Sequence, residues 1–486
     1  MAVREAEEDV KLASKRQRKE EATVVKSTSQ ATPDSHKSRY NPQADVRPLM
    51  PVYYGRLFPW KSLYSWLAYG NGDAKCPGAD ASFFQRRELC FTLDGDIFCR
   101  YQSFSDGASM AKAIRSALPS KIDIGPVFNV DPQRRNAYSG NGASGGKTFV
   151  PVERELVFDI DLTDYDDVRT CCSGGSICHK CWTFMQVAVK VLDAALREDF
   201  GFKHLLWVYS GRRGVHCWVC DERARSLTNE ARSAVAEYLS VYKGVEKGRP
   251  KANVSMPLAP SLLRASDVLR NAWLKHVLPQ QRLLDDESDG SLERVLSMIS
   301  DDEVQETLRQ RFRRKSAGGN AAAAAAAGGE SVSVARWNEI EKEVMKATRR
   351  RPLLRKCLDE IVFAYSYPRL DIEVSKHRNH LLKAPFCIHP KTGRVCVPID
   401  PERVDEFDPM DVPTLAQLLN ELEENTVKNG GSAGSADGKL EDWKRTSMAD
   451  AVNTFERTFL NGMLEECKEQ LKAKAREAKA QPTLAW

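Results

Sequence analysis

Between Leu156 and Leu162 the chain reads Leu-Val-Phe-Asp-Ile-Asp-Leu, a short apolar run with two aspartates one residue apart. A β-strand sends successive side chains to opposite faces, so Asp159 and Asp161 share one face while Phe158 and Ile160 point into a core. Aspartate is a poor strand former, and two neighbouring carboxylates raise each other's pKa unless a cation lies between them. A core strand built this way needs a reason. A divalent hard cation supplies one, because Mg2+ takes carboxylate oxygens and leaves its other positions to water and phosphates. An edge strand with solvated aspartates is the plainer reading of the same letters.

A second acidic segment favours the metal. Leu370-Asp371-Ile372-Glu373-Val374 again sets acids between core residues, and the pattern predicts a strand over Arg369–Val374. Aspartates from neighbouring strands could share a pair of ions that activates a hydroxyl and stabilises a leaving pyrophosphate. Ser210-Gly211-Arg212-Arg213-Gly214-Val215-His216 joins two apolar runs, Leu205–Tyr209 and Val215–Cys220, as a tight hairpin turn. Adjacent arginines in such a turn repel unless an anion joins them, and the planar arginine fork bonds phosphate oxygens in pairs. Ser210 adds a hydroxyl, and His216 enters the next strand. Past the second acidic segment, Lys376, His377, Arg378, His380, Lys383 and His389 gather further donors of the kind a triphosphate site uses.

Four of the thirteen cysteines crowd into one window, as Cys171-Cys172, Cys178 and Cys181. Four thiolates suffice for tetrahedral zinc, and such closed sites are structural; His179 could replace one thiol. The N-terminus lacks an apolar leader, which points to reduced thiols rather than a disulfide framework. Cys217 and Cys220 fall in an expected strand and read as core thiols.

The rest of the sequence organises around these elements. Residues 1–47 are polar and read as a disordered tail, with a basic run at Lys15–Lys19 of the nuclear-import kind. Residues 48–220 read as the first part of a catalytic core. They hold buried aromatic helices around Tyr53–Leu67, a hairpin of Glu88–Leu93 and Asp96–Gln102 turning at Asp94-Gly95, a strand at Lys121–Val127, a Gly/Ser loop over 138–147 and a helix over Trp182–Phe200. Residues 221–365 read as a helical insertion, interrupted at 316–333 by a flexible Gly/Ala stretch that includes Ala321 to Ala327. Residues 366–427 return to the core with a further strand at Val395–Ile399, residues 428–438 are a linker, and 439–486 form an amphipathic helical segment. Its stripe of Met448, Val452, Phe455, Phe459 and Met463 is expected to dock on the core. The fold class is α/β of the α+β kind. The net charge of +5 says little, so the local clusters Arg311–Lys315, Arg349–Arg351 and Lys243–Lys251 matter more to any nucleic-acid contact. No stretch is apolar for long enough to span a membrane.

These segments together resemble the small catalytic subunit of the archaeo-eukaryotic primases, in its eukaryotic nuclear form. The likeness is carried by Tyr54-Gly55-Arg56-Leu57-Phe58-Pro59, Tyr101-Gln102-Ser103-Phe104, Lys121-Ile122-Asp123-Ile124-Gly125 and the run from Val157 to Arg169. It continues in the run from Trp207 to Trp218, in Arg369-Leu370-Asp371 and in His380-Leu381-Leu382-Lys383-Ala384-Pro385-Phe386. It spans residues 48–425. The resemblance implies the primase catalytic fold, with a mixed β-sheet core, an inserted helical subdomain and a small zinc-binding loop. It implies RNA primer synthesis for DNA replication by two-metal-ion nucleotidyl transfer with Mg2+ or Mn2+. Asp159, Asp161 and Asp371 stand at the family's metal positions. Ser210, Arg212, Arg213, His216, Lys383 and His389 match positions that hold the triphosphate. Arg100, Lys121, Asp123 and Glu88 match further active-site positions, Asp123 near the ribose. Cys171, Cys172, Cys178 and Cys181 match a structural zinc site. The implied partners are a large subunit carrying an iron–sulfur cluster, the DNA polymerase alpha complex, single-stranded DNA template, RNA primer and ribonucleoside triphosphates, and the implied location is the nucleus. Glu373 matches no metal position, so its role stays open.

Overall fold

The computed structural model describes residues 45–138, 148–285, 290–317, 331–428 and 441–480, all within one compact unit that spans 40–486. The basic run of the tail, the loop at 139–147, the alanine run and the linker after 428 lie outside the described residues.

Two antiparallel sheets form the core. The first is built from β1 (Arg87–Leu93), β2 (Ile97–Gln102), β3 (Lys121–Phe128), β4 (Pro151–Glu153) and the two-residue β10 (Leu382–Lys383). Its strand order is β10-β3-β1-β2, and β4 shares the outer edge of β3 with β10. The second holds β5 (Leu156–Asp161), β6 (Leu205–Tyr209), β7 (Gly214–Val219) and β11 (Pro398–Ile399), in the order β11-β6-β7-β5. A remaining pair, β8 (Tyr242–Glu246) and β9 (Arg249–Ala252), forms a separate hairpin. All paired strands run antiparallel, so the core mixes helices with sheets rather than strand directions within one sheet.

The expected alternation holds on β5: Phe158 and Ile160 are fully buried, while Asp159 and Asp161 are partly exposed. Helix His179–Glu198 buries Trp182, Phe184, Val187, Val191 and Ala195 and ends before Gly201, whose φ of +65° suits glycine. The aromatic-rich segment after residue 50 is core: Tyr53, Leu57, Leu63, Trp66 and Leu67 have no exposed surface. Onto it docks the C-terminal stripe. Phe455 and Phe459 meet Trp66 at ring distances of 6.1 and 5.8 Å, and Phe455 also meets Phe386 at 5.5 Å.

Three expectations need correction. Arg369–Val374 is not a strand. Asp371 accepts a hydrogen bond from the Glu373 N–H and caps the short helix Ile372–Lys376, so the alternating acids mark a helix start rather than a pleat. Of Val395–Ile399 only Pro398–Ile399 enters a ladder, although Val395 bridges Ile388. Residues 221–365 are not wholly helical, because β8 and β9 turn at Lys247-Gly248, both at positive φ.

A buried ion cluster ties the two sheets together. Glu155, immediately before β5, receives both Nη atoms of Arg87 at 2.9 Å, Arg154 at 2.7 Å and the Tyr69 hydroxyl at 2.7 Å. Arg87 opens β1, and none of Arg87, Arg154 and Glu155 is more than 1% exposed. Burial alone would push the Glu155 carboxyl up, but the two guanidiniums hold it well below the usual carboxylate range. Removing its charge would leave two arginines buried without their partner. Glu155→Gln is therefore expected to cost about 3–5 kcal/mol of stability at pH 7. A depressed carboxyl stabilises the fold above its unfolded value of about 4.3 and loses that contribution as pH falls through the folded value. Urea titrations should thus find the gap between wild type and Glu155→Gln complete at pH 7 and narrowing only in strong acid. A gap under about 1 kcal/mol at pH 7 would remove the cluster from this role.

Candidate active site

The β5–β7 register places Asp159 opposite His216 and Asp161 opposite Gly214. Directly opposed residues share a face, so the two acids meet the mouth of the arginine turn. His216 Nε2 lies 3.6 Å from Asp159, and the buried Nδ1 has no hydrogen-bond partner among the described residues. Burial, reinforced by Lys383 and Lys121, pushes His216 down to about 3, so the ring is neutral at physiological pH. Asp159 is pushed up to about 7 by burial and then by the charges of Asp161, Asp371 and Asp164.

Asp371 reaches this cluster from the second half of the chain. Its N–H donates to the Asp159 carbonyl at 3.2 Å. The preceding residue pair is anchored by Arg369, which is buried, donates to the carbonyls of Asp164 and Ala364, bonds Asp167 and stacks on Tyr165 and Tyr242 at 5.0 and 3.9 Å. One hydroxyl, that of Ser375, donates to Val157 O at 2.6 Å and seats the capped helix on β5. The three aspartates therefore converge, though from one strand and one helix cap rather than two strands.

The turn is closed from within. Ser210 N–H donates to Gly214 O at 2.9 Å, and Gly214 N–H donates to Ser210 Oγ at 3.0 Å. Gly211 has φ +87°, and a Cβ there would fall 2.7 Å from that of His389, so glycine is required for both conformation and space. One of the two arginines has an internal anion in this structure: Arg213 Nε bonds both oxygens of Asp161, at 2.7 and 2.8 Å. Asp161 also accepts the Thr163 N–H and hydroxyl at 2.9 Å. Lys383 donates to Ser210 O at 2.6 Å while its backbone pairs with Asp123 on β3, so it spans the two sheets. His389 lies among Lys383, Arg212 and Arg213, and burial together with these cations pushes it down to about 3.

On the first sheet, Lys121 pairs with Asp123 at 3.0 Å. Glu88 is fully buried and grips Arg100 Nε and Nη2 at 3.0 and 3.2 Å, so Glu88 orients Arg100 instead of facing the cleft itself. Other basic residues near Asp371 turn away. Arg378 is spent on the carbonyls of Leu227, Ser226 and Pro151, Lys376 pairs with Glu373 at 2.8 Å, and the exposed Glu373 stays outside the acidic cluster. Sequence reasoning gave no role to Asp164, Arg369 or Glu155. Asp164 and Glu155 stand among other charged residues and gave no local signal; their partners, and those of Arg369, become visible only in the fold.

The Sγ atoms of Cys171, Cys172, Cys178 and Cys181 all lie within 4.8 Å of one another. Among the described residues no other group of three or more His, Cys, Asp or Glu closes to that spacing, the aspartates included. Zinc–sulfur bonds of about 2.3 Å in a tetrahedron place sulfurs about 3.8 Å apart, and Cys178 and Cys181 stand at 4.0 Å. Cys181 also accepts the Cys178 N–H at 3.2 Å and faces Arg169 at 3.8 Å, donors that suit a thiolate. The quartet can hold one metal ion. His179 is no ligand: it is exposed and turns to Asp408 at 3.4 Å. Cys217 and Cys220 are buried free thiols, as expected.

A family model described as DNA primase small subunit matches residues 158–401, a span that contains the three aspartates, the arginine turn, the cysteine quartet, Lys383 and His389. The chain belongs to the DNA primase small subunit family. The DNA primase small subunit of Schizosaccharomyces pombe is 42% identical over 387 residues, 79% of each chain. That of Drosophila melanogaster is 42% identical over 422 residues, 86% of this chain and 91% of the relative. The archaeal subunit PriS of Thermococcus kodakarensis is 32% identical over 181 residues, 36% of this chain and 48% of its own. As a family member the chain is a primase-class enzyme, a nucleotidyltransferase. Among the described residues no helix is long and apolar enough to cross a membrane. Glu88, Arg100, Lys121 and Asp123 fall outside the span of the family model, but the sheet seam brings Lys121 and Asp123 to the same cleft through Lys383.

Elemental analysis of this primase-family chain, purified without chelator, should find about one tightly bound metal ion per molecule. The Cys178→Ser, Cys181→Ser double variant should lose it and melt at lower temperature. Full metal retention in that variant would remove the ion from the quartet.

Proposed function

We propose that this chain makes short RNA primers on single-stranded DNA for replication, by two-metal-ion nucleotidyl transfer. The observation that carries the reading is the meeting of Asp159, Asp161 and Asp371 opposite the cationic group of Lys383, Arg212 and Arg213. The donor set fits hard cations: Asp159 is pushed up to about 7 by desolvation and by the carboxylates of Asp161, Asp371 and Asp164, a situation that divalent ions relieve. Two Mg2+ or Mn2+ ions, when bound, make a primer 3′-hydroxyl a better nucleophile and stabilise the leaving pyrophosphate. Asp159, Asp161 and Asp371 would hold them.

The remaining roles fall to the chain's own groups. Arg213 presents a planar fork that suits phosphate as well as the carboxylate it bonds here. Arg212, Lys383, Ser210 and the neutral rings of His216 and His389 complete the triphosphate site. Asp123, with Lys121, is positioned to meet the ribose, and Glu88 holds Arg100 toward the cleft. We assign the catalytic core to residues 48–220 and 366–427, with 221–365 as its insertion and 439–486 as a buttress. Zinc is the metal that best suits four thiolates, in a structural role. The small-subunit name of the relatives supports assembly with a partner subunit; we take that partner to be a large subunit with an iron–sulfur cluster, acting with the DNA polymerase alpha complex in the nucleus.

Purified protein, single-stranded template, ribonucleotides and Mg2+ or Mn2+ should yield short RNA. Asp159→Ala should lower that yield at least about a thousandfold while leaving the circular dichroism unchanged, as expected when a group worth several kcal/mol to the transition state is lost. Activity within tenfold of wild type would falsify the metal assignment. Faster incorporation of deoxynucleotides than ribonucleotides would replace primer synthesis with a repair-type polymerase.

A further inference from the structure

The loop between Arg169 and Cys178 has a second contact besides its cysteines. Arg169 is buried, and its guanidinium donates to Gly174 O at 2.7 Å and Ser176 O at 3.0 Å while bonding Asp166 at 2.6 Å. Asp166 in turn accepts the Gly174 N–H at 2.9 Å. The backbone on both sides of Gly175 is thus fixed by one cation and one carboxylate. That same cation reaches Cys181 Sγ at 3.8 Å, so one guanidinium touches both the loop and the quartet.

Against Gly175 lies the guanidinium of Arg212. A Cβ at position 175 would fall 1.6 Å from Arg212 Nη2 and 2.4 Å from Cζ. Gly175 is not among the residues at positive φ, so its backbone suits any amino acid and the glycine is needed for space alone. The atoms in the way are the far end of a flexible side chain, which can swing aside without disturbing the fold. A single methyl group would therefore displace Arg212 and little else.

We propose that Gly175 is a positioning residue for Arg212: by lacking a side chain, it lets the clamped loop seat the guanidinium where it binds the triphosphate of the incoming nucleotide. The proposal rests on the reading of Arg212 as a triphosphate ligand given above. It makes the cysteine loop a wall of the nucleotide site, joined to the hairpin turn of the second sheet through one arginine.

The test uses full-length Gly175→Ala, Arg212→Ala and the double variant, with GTP and Mg2+ as the probe in calorimetry and KM and kcat from the primer assay. Gly175→Ala should keep its metal content and melting temperature, raise both Kd and KM about fivefold to tenfold, and leave kcat within about twofold, the pattern of lost ground-state binding. Arg212→Ala should weaken GTP about tenfold or more, and adding Gly175→Ala to it should change nothing further, because the two sites share one interaction. If Arg212→Ala weakens GTP and Gly175→Ala does not, the positioning role is overturned while the site assignment stands. If Arg212→Ala binds GTP like wild type, the assignment of Arg212 fails first. An equal effect of Gly175→Ala with and without Arg212, or loss of metal in the single variant, would make Gly175 a structural residue and end the proposal.

Discussion

Everything in this fold hangs on one buried carboxylate. Glu155 sits where the chain passes from the first sheet to the second, and it holds Arg87 of β1 and Arg154 at its two oxygens. Its own carbonyl and that of Arg154 accept the buried Arg232. Ion pairs of this kind are a poor source of net stability, since desolvation consumes most of the attraction, but they are severe on alternatives, because any register that separates the partners strands a charge. The pair therefore acts as a latch on geometry. With β1 tied to the start of β5, Asp159 and Asp161 follow within six residues, and Lys383 links the two sheets through Ser210.

The seam explains why the site can be collected from such distant parts of the chain. Lys383 pairs by backbone with β3 and donates by side chain to the turn between β6 and β7, so one residue belongs to both sheets. Charge follows the same line. Acids cluster at the end of β5, and burial together with their mutual repulsion pushes Asp159 well above its ordinary range. Across from them, burial and the surrounding cations keep the His389 ring neutral. Each half is electrostatically uncomfortable alone. The two meet in the ion pair of Arg213 with Asp161, and the proposed substrates, which carry both phosphate and divalent ions, would answer both halves at once.

Much of this was legible before any coordinates. The Phe-Asp-Ile-Asp run, the glycine-flanked arginines and the cysteine spacing are local patterns, and local patterns translate directly into a strand face, a turn and a ligand set. The arginine turn was readable as a tight link between two apolar runs, but not its closure, in which Ser210 Oγ accepts the Gly214 N–H. What the letters hid is long-range. Glu155 looks like any acid beside a strand until Arg87 arrives from residues away in sequence. Leu370 to Val374 alternates as a strand would, yet Pro368 precedes it and Asp371 finds the Glu373 N–H, so local capping overrides the alternation. The β8–β9 hairpin was missed because its strands are short and polar, with only Gly248 to mark the turn.

That misreading of Asp371 bears on how the acidic cluster works. A strand aspartate points where the pleat sends it, and its position is only as firm as the ladder. As a helix cap, Asp371 has one oxygen engaged with the Glu373 N–H and its backbone N–H bonded to the carbonyl of Asp159 itself. Arg369, two residues earlier, is locked between two tyrosines and three acceptors. The third acid is thereby registered to the first through the main chain, independent of any strand pairing between the two halves of the chain. A long excursion after β7 and β9 can then vary without loosening the carboxylates, because a longer loop costs little in closure entropy and the return point is pinned on arrival. The acids are held in place by the fold's own bonds, which is the preorganisation that the proposed charge-stabilising site requires.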